Sequence, residues 1–186
     1  MRAIIYLSVL LLHACASVTP PSDTIPLNDV SQYRLQTVPA TLQGTARLER
    51  LSIHTPTDKK ELLIQIEMYT SHIEFVGLSS AGLVLFEMSW QANSGYQVSM
   101  KVPTDNLNPA LLLAYFQLAN WPPALIKKGL TGLTLIQEKE HSKRDFQHQG
   151  KSLFSVSETN NNRLFIHNEP PFSIVIETLK AWEIEG

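Results

Sequence analysis

The chain has a single cysteine, Cys15, among 186 residues, so no internal disulfide framework can hold the fold. Charge is sparse and balanced: 15 basic residues face 17 acidic ones, for a formal net charge of −2. A nucleic-acid footprint needs a clear basic excess, which this composition lacks. There is no block of like charges and no basic amphipathic helix. The histidines after Cys15 are His54, His72, His141, His148 and His167. None forms a metal pair at helical spacing, and no second cysteine joins them. No phosphate-cradling glycine loop, internal repeat or low-complexity tract occurs. Gly77-Leu78-Ser79-Ser80-Ala81-Gly82 reads as a turn between strands, because no helix follows as a serine elbow requires. Glu138, Glu140, His141, Asp145 and His148 fall in a polar stretch, residues 138–150, that reads as a solvated hairpin. Glu67, Glu74 and Glu87 fall on polar strand faces. The expectation is a protein that is not an enzyme and carries no metal and no cofactor.

What the chain does have is apolar content. Hydrophobic residues make up 44% of it, enough for one folded domain. The first concentration is at the N-terminus. Arg2 supplies a positive start, and the apolar run from Ile4 to Leu12 follows. That run is too short to span a bilayer, which takes about 20 apolar residues. Residues 1–14 read as an export signal. Leu12-His13-Ala14-Cys15 resembles the bacterial lipobox: Leu three residues before Cys, a small residue just before it, then the Cys. The resemblance implies cleavage before Cys15 and lipidation of its thiol, with the membrane as partner through that lipid. Two or three acyl chains make such anchoring effectively permanent. Ala16 stands where an Asp would signal inner-membrane retention, which implies the outer membrane, facing the periplasm. Loss of Arg2 takes the mature charge close to −3. Residues 15–42 read as the lipidated Cys and a mainly flexible, proline-stiffened tether, and residues 43–186 as the folded domain.

Within that domain the dominant period is two. Leu62, Ile64, Ile66 and Met68 share one face of a strand. Val84, Phe86, Met88 and Trp90 share another, as do Tyr96, Val98, Met100 and Val102, and then Phe172, Ile174 and Ile176. Shorter candidates are residues 43–54, 72–76, 132–137, 151–157 and 163–167. The connections have hairpin length, so neighbours are antiparallel. One segment differs. In residues 106–119, Leu107, Ala110, Leu111, Ala114, Tyr115 and Leu118 recur at helical spacing, with Pro109 suited to a first turn. Residues 123–128 read as a second short helix ending at Gly129. The predicted class is α+β, mainly β: a curved antiparallel sheet, or half-open barrel, with a short helical insert over its concave face.

This order of elements resembles the LolA/LolB family of lipoprotein carriers and receptors, across roughly residues 43–184. The chain is also similar to a proteobacterial family of small lipoproteins with no assigned function. The first resemblance implies a half-open barrel whose helices cover a cavity for acyl chains. Its lining here would be Ile64, Ile66, Met68, Phe75, Val84, Phe86, Met88, Val98, Met100, Leu111, Tyr115 and Leu118. Methionines suit a mouldable apolar pocket. The resemblance also implies that Leu78, on the matching hairpin loop, contacts the membrane. The same apolar face fits a filled core equally well. Two readings of function follow. One is a non-catalytic outer-membrane lipoprotein that binds or transfers lipid or acylated molecules. The other is a structural or assembly lipoprotein that binds a protein partner without a cavity. A periplasmic enzyme would need converging ionisable groups in a polar cleft, which the sequence does not display.

Overall fold

The computed structural model describes residues 23–103, 107–138, 142–159, 162–168 and 170–185. The expected export signal and Cys15 lie outside these residues, as do Glu140 and His141.

The described chain opens with β1 (Thr24–Asn28) and β2 (Ser31–Arg34), followed by β3 (Thr45–His54), β4 (Lys59–Met68), β5 (His72–Ser79), β6 (Val84–Gln91) and β7 (Gly95–Met100). Two helices come next, α1 (Pro109–Asn120) and α2 (Pro123–Gly129), then the short β8 (Leu130–Thr131). The remaining strands are β9 (Thr134–Glu138), β10 (Lys143–His148), β11 (Lys151–Thr159), β12 (Asn162–Asn168) and β13 (Pro171–Glu183).

Ten strands form one curved, entirely antiparallel sheet in the order β7-β6-β5-β4-β3-β13-β12-β11-β10-β9. The chain starts at the centre with β3 and meanders out to β7. It crosses over by the helices to β9 and meanders back, so that β13 lies against β3. The edges β7 and β9 do not pair, and the barrel stays open. Register slips at Gly77/Leu78, Phe146/Gln147 and Thr178/Lys180 bend strands locally, as bulges do.

Period two builds the core directly. Leu62, Ile64, Ile66 and Met68 on β4 are all buried, as are Ile73 and Phe75 on β5 and Phe86, Met88 and Trp90 on β6. Gly77 lies where the Phe86 ring passes over the neighbouring strand, and any Cβ there would run into that ring. The helix starts three residues later than its periodicity suggests. Asn108 caps it by accepting the Leu111 N–H at 3.2 Å, and Pro109 sits in the first turn, where its missing N–H costs nothing. Pro122 and Pro123 follow its end. Ten of its twelve residues are buried, so α1 lies inside the concave face and not on its rim.

Two expectations are corrected by the structure. The stretch from Asp23 to Leu42 is not a flexible tether. β1 pairs with β2, and β2 with β8, in a separate three-stranded sheet. Ile25, Leu27, Tyr33, Leu35 and Val38 are buried in the common core. Their alternation within a polar, proline-containing segment is enough to pin it down. Asp23 also accepts the Trp90 indole N–H at 3.1 Å. Second, the stretch expected to be a solvated hairpin holds one strand, β10, which pairs with β9 on one side and β11 on the other and is not simply solvated. Phe146 is fully buried, and Asp145 is buried with hydrogen bonds from Gln147 Nε2 and Ser152 Oγ.

Candidate functional site

The space beneath α1 is enclosed by Leu51 of β3, Ile64 and Ile66 of β4, Phe75 of β5 and Ile174 and Ile176 of β13, with Leu112, Tyr115 and Phe116 of the helix above. It is apolar except for Glu49, and its free volume is only about 20 Å³. That is room for about one water-sized sphere, far below the roughly 300 Å³ at which small-molecule pockets begin. In this conformation the interior is filled by side chains.

Aromatic rings do much of the filling. Tyr115 lies 4.5 Å from Phe165, 6.2 Å from Phe172 and 6.5 Å from Phe154, centre to centre. Phe154 stacks on Phe146 at 4.3 Å and on Phe165 at 5.2 Å. Such pairs contribute about 0.5–1.5 kcal/mol beyond their area burial. Burial pushes the Tyr115 and Tyr33 phenols well above their ordinary value. His167 closes the row, stacked between Phe154 and Phe172. Its Nδ1 lies 3.1 Å from the Pro170 carbonyl. A carbonyl only accepts, so Nδ1 carries the proton, and among the described residues the buried Nε2 has no partner. Burial lowers the His167 pKa, partly opposed by the bond to Pro170.

The lining expected from sequence divides into four groups. Ile64, Ile66, Phe75 and Tyr115 border the space itself. Met68, Phe86, Met88 and Leu118 are buried in the surrounding core. Val84 and Leu111 are half-buried. Val98 and Met100 face solvent, at 39% and 42% exposure. They lie on the edge strand β7, where the sheet's inner face extends past its helical cover. The expected membrane-contact residue, Leu78, is not at a loop tip. It belongs to β5, paired with Leu63 and Val84, and is half-buried. The exposed leucine of that turn is Leu83, at 61%.

One end of the interior is charged, which the sequence reading missed. Glu49 is only 1% exposed and meets Arg163 Nη1 at 3.2 Å and Arg47 Nη1 at 3.9 Å. Arg47 also donates to Asn120 Oδ1 at 2.8 Å. Arg144 Nη1 donates to the Leu118 and Ala119 carbonyls at 2.8 Å each, satisfying the open end of α1 as a cation should. Burial lowers the Arg47 pKa, and the nearby Arg163 charge lowers it further. Beside these groups is a polar cleft of about 230 Å³ lined by Gln137, Ser142, Arg144, Glu158 and Arg163 over Ala119 and Val156. The only advance signal was inward placement: Arg47 and Glu49 continue the Leu51 face of β3, and Arg163 the Phe165 face of β12.

The last turn of α1 also binds the N-terminal segment. Gln117 and the Gln36 backbone exchange two hydrogen bonds, at 2.8 and 3.1 Å. The Trp121 indole N–H is shared between the Gln36 and Thr37 carbonyls. The side-chain hydrogen bonds from Gln36, Arg47 and Arg144 to α1 all fall between Gln117 and Asn120. The earlier turns are held by apolar contact.

Among the described residues there is no group of three His, Asp or Glu placed to hold a metal ion, and no helix long and apolar enough to cross a membrane. Residues 46–180 match the family described as "Protein of unknown function (DUF3261)", which spans most of the chain and nearly all of the ten-stranded sheet. The chain belongs to the DUF3261 family. The match begins within β3 and ends within β13, so the site beneath α1 lies inside the region that defines DUF3261. No curated protein matches the chain.

Proposed function

We propose that this DUF3261 chain is a non-catalytic, LolA/LolB-like lipoprotein, anchored in the outer membrane through Cys15. In this reading it takes the acyl part of a lipid or acylated molecule into the space beneath α1. The observation that carries the reading is the asymmetry of α1: among the described residues, the side-chain hydrogen bonds from other strands and loops meet its last turn, while its earlier turns sit on an almost wholly apolar seat. A helix held in this way can lift its first turns while its end stays fixed. The exposed surface would be aromatic and aliphatic, the lining an acyl chain needs. Because the closed interior leaves only about 20 Å³, lifting is obligatory in this account.

The test is extraction and mass spectrometry of the Cys15→Ser chain purified from the membrane-free fraction. The account expects an apolar molecule at near-stoichiometric amounts, and uptake of an added fluorescent fatty acid if the protein is purified empty. Neither bound lipid nor uptake would reject it. The filled interior supports the second reading, a structural or assembly lipoprotein that binds a protein partner and has no ligand cavity. That reading expects no lipid uptake and a partner recovered by cross-linking on the cell envelope.

A further inference from the structure

We infer that the polar cleft at the end of α1 is a subsite for an anionic headgroup, so that the ligand is a negatively charged amphiphile. The inference rests on the acyl-binding reading above and names its substrate class. Among the described residues, three guanidinium groups, Arg47, Arg144 and Arg163, converge here against two carboxylates, Glu49 and Glu158, and these five groups sum to one net positive charge. Glu49 is buried and neutralised mainly by Arg163 at 3.2 Å. Glu158 is exposed at the rim, where its charge acts on Arg47 and Arg144.

The donors are only partly used. A guanidinium has five N–H donors in a fixed fork suited to carboxylate and phosphate oxygens. Among the described residues, the bonds of Arg144 and Arg163 run through Nη1 alone. Both side chains line a cleft of about 230 Å³, large enough for a phosphate or carboxylate group. The floor of that cleft is apolar, formed by Ala119 and Val156. Position completes the argument. Glu49 borders the apolar space beneath α1 and also pairs with Arg163, which lines the cleft. The two compartments are therefore neighbours across one ion pair. A chain lying under the raised helix would bring its headgroup to the arginines.

The experiment measures calorimetric affinity of the Cys15→Ser chain for four probes below their micelle concentrations: dodecyl phosphate, dodecylphosphocholine, dodecyl maltoside and inorganic phosphate. The expected result is that dodecyl phosphate binds about tenfold more tightly than dodecyl maltoside, from charge-assisted bonds in a partly dry cleft. Dodecylphosphocholine should fall between them, and inorganic phosphate should be far weaker than dodecyl phosphate. Two variants then read the ratio of anionic to neutral affinity. In Glu49→Gln/Arg163→Gln, which removes one charge of each sign together, the ratio should fall about tenfold. In Glu158→Gln, an exposed change with little risk to folding, it should rise about threefold as a competing carboxylate is lost. If dodecyl maltoside binds and dodecyl phosphate binds no better, the headgroup subsite is wrong while the acyl reading stands. A ratio unmoved by both variants has the same meaning. If inorganic phosphate matches dodecyl phosphate, the cleft is a free-anion site and the amphiphile claim fails. If none of the three amphiphiles binds, the acyl reading itself has failed.

Discussion

Through Leu112, Tyr115 and Phe116, α1 rests on Ile64, Phe75, Phe165 and Phe172. Over its last turn it meets Gln36, Arg47 and Arg144 instead. The first surface is held by burial, which is non-directional and tolerates sliding and replacement by another apolar surface. The second is held by directed hydrogen bonds, which lose most of their value with small displacements, beside a buried ion pair that joins β3 to β12. The same helix therefore has a fixed end and an exchangeable end. What separates them is a change of residue type along β3 and β12, from Leu51 and Phe165 to Glu49 and Arg163.

The sharpest way to break that contrast is to strip charge from the fixed end. Arg163→Ala leaves the Glu49 carboxylate buried with only Arg47, 3.9 Å away, beside it. The expected loss is about 3–5 kcal/mol, measured by urea unfolding. The double change Glu49→Gln/Arg163→Gln should lose clearly less, because no unpaired charge remains. Equal losses would mean that the pair's charge is not what holds this end.

A smaller effect is expected under the apolar end. Gly77→Ala drives a methyl group into the Phe86 ring, and overpacking of this kind costs about 1–3 kcal/mol. If the apolar seat is as adaptable as the account says, the loss should lie toward the lower limit, with the far-ultraviolet circular dichroism unchanged.

The smallest effect is on pH dependence, through His167. Its folded-state pKa is lowered from the ordinary 6.5, because a second proton would put an N–H at the unpartnered Nε2 among aromatic rings. The unfolded chain therefore takes up the proton first. The stabilisation is fully present above about pH 6.5 and is lost as pH falls through the lowered folded value. Unfolding free energy measured from pH 7.5 to 5 should decline in the wild type, and the decline should be smaller in His167→Phe. Parallel curves would remove His167 from the account.

Much of the architecture could be read in advance, because period two leaves a clear trace where one face is covered. Leu62 to Met68 and Phe86 to Trp90 are buried as that trace predicts. The antiparallel order followed from short connections, and the helical insert from a change of period. Periodicity does not say whether a face is covered. Val98 and Met100 carry the same pattern as Met88 but lie on an edge strand beyond the helix. It also fails on short elements: β1, β2 and β8 have two to five residues each, and Pro26 and Asn28 made their segment resemble a linker. The charged end was hidden for a different reason. Isolated Arg and Glu are usually solvated, and pairs such as Glu49 and Arg163, 114 positions apart, are brought together only by the closing of β13 onto β3. Leu78 was misplaced because a register slip beside Gly77 keeps it in the strand and leaves Leu83 at the turn.

The central claim, that α1 is fixed at one end and exchangeable at the other, is tested most directly by residue-resolved amide exchange in the Cys15→Ser chain. The account predicts faster exchange from Leu113 to Phe116 than from Leu118 to Trp121, and slowing of the first group when dodecyl phosphate saturates the protein. Equal protection along the whole helix, matching that of β3 and β13 and unchanged by the added amphiphile, would contradict it and leave a permanently packed core.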